Sequence, residues 1–176
     1  MCWIVGPRHA IDTLSSVGSF MDGGANNALQ KAAIPFLDAD FVKADALALQ
    51  SHFRAKRDYM LRELSKLGIK SNKPGSTFYI WADVSNLPPP LNHGVIFFEY
   101  LIRHKAIVVP GIFFDVNPGH RRKYASSKYL SHVRMSYGPE WANLKLAIKA
   151  MNEIVDLAKN DALPPLDSYA EADGDE

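Results

Sequence analysis

Apolar positions along the chain change their spacing from the helical to the extended kind. Over residues 40–67 they fall on one stripe at helical spacing, which predicts a long amphipathic helix that ends at Gly68. Earlier, residues 7–20 carry a shorter helical pattern that opens with Pro7, a residue favoured at helix starts. The first third of the chain is therefore predicted to be mainly helical.

Two further segments belong to this first third. The opening stretch "MCWIVGP" is apolar and ends in Gly-Pro, which predicts a very short strand. After the break "MDGGANN", either Asn26 or Asn27 can cap a second helix, "ALQKAAIPFLD", which Pro35 should kink or end. The short strand has no predicted partner strand nearby in the sequence.

The second half of the chain alternates strand and helix patterns. From residue 40 onward the order is helix, strand, helix, strand, strand, helix, which predicts an α/β fold with a sheet covered by helices. The segments after the long helix are the strand "STFYIWADV", the helix "GVIFFEYLIRHK", the segment "AIVVPGIFFDV" with a short buried strand that ends at Pro110-Gly111, the strand "KYLSHVRMSYG" and the terminal helix "PEWANLKLAIKAMNEIVDLAKN".

One charged residue interrupts the last strand pattern. Val133, Met135 and Tyr137 alternate with Arg134 and Ser136, as in a strand that buries one face. An arginine in this place needs either an anion or water. The pattern alone leaves two interpretations open, an anion-binding residue and an ordinary ion pair on a wet strand face.

Composition and charge limit the class of protein. The 176 residues are 47% hydrophobic and carry a net charge of +1, which gives no sign of a polyanionic partner. A single cysteine, Cys2, excludes an internal disulfide and fits a reducing compartment. No signal peptide or membrane span is evident, so we expect a soluble, cytoplasmic protein without membrane contact. Residues 161–176 hold six acidic residues and no basic one, which predicts an acidic, disordered tail.

General chemical motifs are scarce. The six histidines lack metal-ligand spacing, and no GxSxG, P-loop or GxGxxG motif occurs. The basic run "GHRRKY", residues 119–124, could hold a phosphate or an acidic partner, although a solvated connector is the simpler interpretation. Nucleic-acid binding would need a wider basic face with interleaved aromatic residues. These patterns therefore predict neither a metal site nor a nucleic-acid interface.

Four segments in register carry a family resemblance. In order, they are "CWIVGPRHAIDTLSSVGSFMDGGANNALQKAAIPFLD", "GSTFYIWADV", "VVPGIFFDVNPG" and "HVRMSYG". Together they resemble the C-terminal part of a class I/II aminotransferase, a pyridoxal-phosphate (PLP) enzyme of the aspartate aminotransferase fold type. The resemblance implies that residues 1–39 are the end of the large, cofactor-binding domain. It also implies that residues 40–160 are the small domain, followed by the tail at 161–176.

The resemblance also implies site residues and partners. Arg134 matches the family arginine that binds the substrate α-carboxylate, a role that suits the paired N–H donors of a guanidinium. Asn26 and Asn27 match a stretch that approaches the cofactor region of the other subunit, with helix capping as the alternative role. The substrates would be an amino acid and a 2-oxo acid, and the complete enzyme would be a homodimer. Aromatic residues near Arg134 could line a roomy pocket: Phe78, Tyr79, Trp81, Phe113 and Phe114.

Groups that transamination requires have no match in these residues. The family's Schiff-base lysine and a phosphate-binding arginine stand before the first strand, and Ser126–Lys128 does not fit the lysine motif because Ser136 stands where that motif has arginine. The resemblance therefore implies no catalytic residue in this chain, which we expect to be inactive alone. Three alternatives remain open: a PLP-dependent lyase, oxidase or cyclase of the same fold type, a truncated protein that binds a partner or forms mixed dimers, and an unrelated ligand-binding unit.

Overall fold

The computed structural model describes residues 4–117 and 121–166, and all structural statements below refer to them. These residues form helices and a small sheet in the predicted order, with one additional strand. The helices are α1 (Arg8–Asp22), α2 (Asn27–Ala33), α3 (Ala39–Lys66), α4 (Gly94–Arg103) and α5 (Trp141–Lys159). The strands are β1 (Lys70–Ser71), β2 (Tyr79–Asp83), β3 (Val109–Pro110) and β4 (His132–Ser136). Short 3-10 turns lie at Ile34–Leu37, Gly111–Phe114 and Tyr124–Ser126.

Two compact units divide the chain, and their boundary falls inside α3, between Gln50 and Ser51. The domain boundary that the sequence predicts, between residues 39 and 40, coincides instead with the start of this helix. A helix of 28 residues is about 42 Å long, so α3 is long enough to belong to both units. The assignment of residues 1–39 to a large domain stays a prediction.

The first unit is built from α1, α2 and the beginning of α3. Gly23, with φ of 67°, ends α1 in the left-handed conformation that glycine adopts without a Cβ clash. The side chain of Asn26 then accepts a hydrogen bond from the Leu29 amide at 3.1 Å and caps α2. Pro35 falls in the 3-10 turn that follows α2, as the sequence predicts. No residue of α1 or α2 is buried.

The second unit contains an antiparallel sheet with the strand order β1-β2-β4-β3. β2 and β4 pair over their full lengths, from Tyr79 opposite Ser136 to Asp83 opposite His132. One face of this pair is fully buried, and α4, α5 and the C-terminal part of α3 contribute side chains to the same core. The α/β fold with a sheet covered by helices is therefore confirmed.

The core of the second unit is apolar and continuous. Its largest fully buried side chains are Phe97, Met60, Leu64, Ile80, Leu91, Leu101, Met135, Met151, Ile154, Val84, Val133 and Val155. On α5, Leu144, Ile148 and Met151 face inward at helical spacing, as predicted. Trp141, which the pattern placed on the same face, is exposed and meets the Tyr59 ring edge to face.

Two terminal predictions need correction. Ile4 and Val5 are exposed and form no strand, because neither residue has a ladder partner in the described part of the chain; residues 1–3 of the predicted strand lie outside it. The predicted disordered tail begins with residues that pack. Leu163 and Leu166 lie against the core, and the Tyr100 hydroxyl donates to the Pro164 carbonyl at 2.9 Å. Residues 167–176 lie outside the described residues.

Candidate functional site

Arg134 lies on the face of the sheet that points away from the core. Residues alternate across β2 and β4, so Val133 and Met135 are buried while Arg134 is half-buried between them. Trp81 on β2 and Val109 on β3 stand opposite Arg134 in the two flanking strands. The alternation predicted from the sequence is confirmed, and it places the guanidinium above the centre of the sheet.

Two aromatic rings enclose the Arg134 guanidinium. Its central carbon lies 4.2 Å from the centroid of the Tyr79 ring and 4.6 Å from that of Phe114. Both distances fall well within the range of cation–π attraction. The rings come from different elements, since Tyr79 begins β2 and Phe114 ends the 3-10 turn after β3. The guanidinium is thus held between β2 and this turn.

The polar atoms of Arg134 are not matched by the protein. Nε is buried and has no hydrogen-bond partner, and within residues 4–117 and 121–166 no carboxylate lies within ion-pair distance of the guanidinium. Neither Nη group is a buried atom without a partner, and Arg134 as a whole is half-buried rather than fully buried. A buried donor without an acceptor is rare in native proteins and marks a place where an anion or water would be favourable.

A close approach of the backbone sets the position of Phe114. A Cβ on Gly111 would lie 2.7 Å from the His132 carbonyl oxygen and 2.9 Å from that of Tyr129. Only glycine therefore allows the 3-10 turn to lie this close to β4. Phe114 faces Arg134, whereas Phe113 is 74% exposed, so the structure gives the two neighbouring rings different environments. The sequence motif "VVPGIFF" did not distinguish them.

More aromatic side chains continue across the same sheet face. The Trp81 ring stacks on His132 at 5.6 Å and meets Tyr129 and Phe114 edge to face. At the end of this row, burial raises the pKa of Asp83, but hydrogen bonds from Ser85 and Ser131 and the nearby His132 ring outweigh it and hold the pKa below its ordinary value. In the described residues this face therefore combines the unpaired Arg134 cation with aromatic walls, and the Asp83 carboxylate lies at the end of the row. The part around Arg134 suits a carboxylate attached to an organic side chain.

Arg122, in the basic run 119–124, is engaged within its own loop. Arg122 donates to the Asp115 carboxylate at 2.5 Å and to the Val116 carbonyl at 2.9 Å, and Asn117 bonds the Arg122 backbone in both directions. These contacts favour the connector interpretation over a phosphate site. His120 and Gly119 lie outside the described residues.

Asn26 and Asn27 belong to the first unit, whereas Arg134 belongs to the second. Asn26 caps α2, which supports the structural alternative for that residue, and Asn27 is exposed at the first position of the helix. A cofactor or interface role for either asparagine stays a prediction. Among the described residues no group of three His, Cys, Asp or Glu side chains could hold a metal ion. Likewise, no helix in residues 4–117 and 121–166 is long and apolar enough to cross a membrane.

Lys56 is a notable residue that the sequence pattern did not single out. It is 3% exposed, and its Nζ donates to the carbonyls of Gly138 and Pro139, just after β4, at 3.1 and 2.8 Å. The sequence pattern assigns Lys56 to a position off the apolar stripe of α3, and the structure corrects this. The available signal was its spacing of three residues from Phe53 and four from Met60. These two hydrogen bonds connect α3 to the residues that follow β4, the strand that contains Arg134.

Comparison with known proteins assigns a family. The family model "Aminotransferase class I and II" matches residues 1–150. LL-diaminopimelate aminotransferase 2 of Trichormus variabilis is 34% identical over 114 residues, which cover 64% of this chain and 28% of that protein. Aspartate/prephenate aminotransferase of Thermus thermophilus is 27% identical over 151 residues, which cover 85% of this chain and 35% of that protein.

A solved structure agrees with this assignment. Aspartate aminotransferase from Thermus thermophilus with maleate matches with a TM-score of 0.65 and 26% identity, over 85% of this chain and 35% of that one. The chain thus spans only about a third of the length of such relatives. Because the family model covers most of the sequence and the fold agrees, the chain belongs to the class I and II aminotransferase family.

Proposed function

We propose that these residues are part of a PLP-dependent aminotransferase that moves an amino group between an amino acid and a 2-oxo acid, and that Arg134 binds the substrate α-carboxylate. The observation that carries the proposal is a half-buried guanidinium with no anionic partner in the described residues and a buried, unpaired Nε. A guanidinium keeps its charge at any working pH and matches a carboxylate with two parallel donors.

PLP, when bound in the complete enzyme, supplies the electron sink that weakens bonds at the substrate α-carbon. The donor set described here fits the substrate carboxylate better than the cofactor, because Arg134 is a single cation among aromatic rings. Arg134 would therefore bind and orient the amino acid, and orientation of a reacting group contributes directly to the rate. The names of the relatives, which include LL-diaminopimelate and aspartate/prephenate aminotransferases, support an amino-acid substrate.

The carboxylate role is tested by substituting Arg134 in the complete enzyme. Arg134→Gln should lower kcat/KM for the amino-acid substrate by about 10- to 150-fold, since a charge-assisted bond to carboxylate contributes about 1.5–3 kcal/mol. Arg134→Lys should recover only part of the loss, because an ammonium cannot make the same two parallel bonds. Arg62→Gln, at an exposed arginine beside Glu63, is the matched control and should retain wild-type kcat/KM. Unchanged kcat/KM in Arg134→Gln would exclude the carboxylate role.

We also propose that the lysine that bonds the cofactor is not among the 176 residues. Lys128, in the segment that superficially resembles the lysine motif, holds its Nζ 4.9 Å from the centroid of its neighbour Tyr129. Mixing the 176-residue chain with PLP, followed by borohydride reduction and peptide mass spectrometry, should give no uniquely labelled lysine. Stoichiometric labelling of one lysine would refute this part of the proposal.

The complete enzyme is further proposed to be a homodimer. Support comes from the resemblance and from the apolar side chains that the first unit exposes, such as Phe20 and Met21. Sedimentation of the complete enzyme should give twice the mass of one subunit. A monomer that is fully active at the same concentration would contradict the dimer.

A further inference from the structure

Among the described residues, two rings and the burial of Nε restrict access to the Arg134 guanidinium. Tyr79 and Phe114 lie 4.2 and 4.6 Å from its central carbon, and Nε is buried without an acceptor. The polar atoms that stay accessible are therefore the terminal Nη groups. This environment lowers the contact of Arg134 with water and limits the directions from which an anion can approach.

Both rings are themselves supported by neighbouring side chains. Tyr79 lies 4.5 Å from the Phe78 ring, and its backbone pairs with Ser136 in the sheet. Phe114 meets the Trp81 ring edge to face at 5.5 Å. Because the two rings belong to separate elements, contacts from both elements restrict rotation of the guanidinium.

Attraction to the rings also explains how Arg134 can remain without an acidic partner among the described residues. Cation–π contacts stabilise a cation without consuming its hydrogen-bond donors, whereas an Asp or Glu partner would occupy the same donors as a ligand. An arginine held by rings is consequently stabilised and still free to bind an anion. A lysine would gain less, because a guanidinium is planar and stacks on rings.

We propose that Tyr79 and Phe114 are positioning residues that fix the plane of the Arg134 guanidinium, so that its Nη end accepts a planar carboxylate and the site prefers a carboxylate to an uncharged isostere. This inference rests on the proposed role of Arg134. The rings act through Arg134, and they set how strongly the site discriminates between the two ligands.

The test compares two probes on the complete enzyme, 3-phenylpropanoate and 3-phenylpropanamide, by calorimetric titration. The preference for the carboxylate is the dissociation constant of the amide divided by that of the carboxylate. Tyr79→Leu and Phe114→Leu should each lower this ratio by about 3- to 30-fold, the range that corresponds to a lost cation–π contact. Tyr79→Phe, which keeps the ring, should retain the wild-type preference. Tyr59→Leu is the matched control, because its ring carries the Arg62 guanidinium at 5.5 Å on the surface of α3.

A second readout reports on Arg134 itself. Hydrogen exchange of the Arg134 Nε–H, followed by NMR on arginine-labelled enzyme without ligand, should be slow in the wild type and in Tyr59→Leu. It should become at least about tenfold faster in Tyr79→Leu and Phe114→Leu, because loss of a ring admits water to a buried donor. General loosening of the fold would instead accelerate exchange in the control as well.

The outcomes distinguish the positioning role of Tyr79 and Phe114 from the carboxylate-binding role of Arg134. If Arg134→Gln retains the carboxylate preference, the carboxylate role of Arg134 fails, and the inference fails with it. If Arg134→Gln abolishes the preference while both leucine variants keep the wild-type preference and slow exchange, only the positioning role is overturned. Equal losses in Tyr59→Leu and Tyr79→Leu would also overturn it.

Discussion

The ammonium group of Lys56 lies inside the protein, where its hydrogen-bond acceptors are backbone carbonyls. Lys56→Met should lower the free energy of unfolding by about 1–3 kcal/mol, because Gly138 and Pro139 lose a charged donor and their carbonyls stay partly buried. Urea denaturation of the 176-residue protein measures the change. Lys66→Met, at an exposed lysine of the same helix, should change it by less than about 0.5 kcal/mol. A neutral effect of Lys56→Met would mean that apolar packing replaces the lost bonds.

Asp83 should make stability depend on pH on the acid side. Its pKa is held below the ordinary value, so its contribution to stability is present above the unfolded-state pKa of about 3.9 and is lost as the pH falls towards the folded-state pKa. Asp83→Asn should therefore make the fall in free energy of unfolding between pH 5 and pH 3 (about one unit either side of that value) less steep. Asp156→Asn, on an exposed side chain of α5, serves as the control. An unchanged slope in Asp83→Asn would show that other carboxylates govern the acid response.

At the level of elements, the 3-10 turn Gly111–Phe114 depends on its close packing against β4. Gly111→Ala should lower the free energy of unfolding by about 1–3 kcal/mol, because the added Cβ meets backbone atoms that cannot move independently. Chemical denaturation measures the loss, and near-ultraviolet circular dichroism should report a changed environment of Trp81 and Phe114. Gly75→Ala is the matched control, since nothing lies within 4 Å of its added Cβ. Equal stability of both variants would show that the turn can shift at little cost.

Elements with a strong apolar period were predictable, and elements defined by pairing alone were not. β2 and β4 alternate clearly, so both strands and the outward position of Arg134 were predicted correctly. β1 is only Lys70 and Ser71, two polar residues whose strand character comes from pairing with β2. The opening apolar stretch shows the converse, because β-propensity without a partner gave no strand at Ile4 and Val5. Sequence also could not place the Phe114 ring on Arg134, because that contact depends on the path of a turn between strands.

At the scale of the whole molecule, burial is concentrated in the second unit. Every residue in the described buried set lies between Lys56 and Ala158, whereas α1 and α2 contribute none. The family resemblance placed a domain boundary between residues 39 and 40, where the predicted helical stripe begins and continues without a break. The same period therefore covers two environments, with Val42 and Leu49 exposed and Met60 and Leu64 buried. Periodicity predicts the helix but not the point along it where packing begins.

A truncation experiment distinguishes these two boundaries. Residues 51–166 contain the described core, so this fragment should unfold cooperatively, with a thermal midpoint within about 5 °C of that of residues 40–166, a difference of about 1 kcal/mol or less. Circular dichroism and calorimetry measure both transitions. Phe97→Ala in the shorter fragment is the control for a specific core, because losing a fully buried phenylalanine should cost about 3–5 kcal/mol and abolish or strongly lower the transition. A cooperative transition in residues 40–166 that is absent from residues 51–166 would contradict the boundary inside α3 and favour the one predicted from sequence. In that case the first turns of α3 would be needed to nucleate the rest of the helix, which carries Lys56 and the core residues Met60 and Leu64. The apolar side chains of these first turns would contribute in this way although they are exposed.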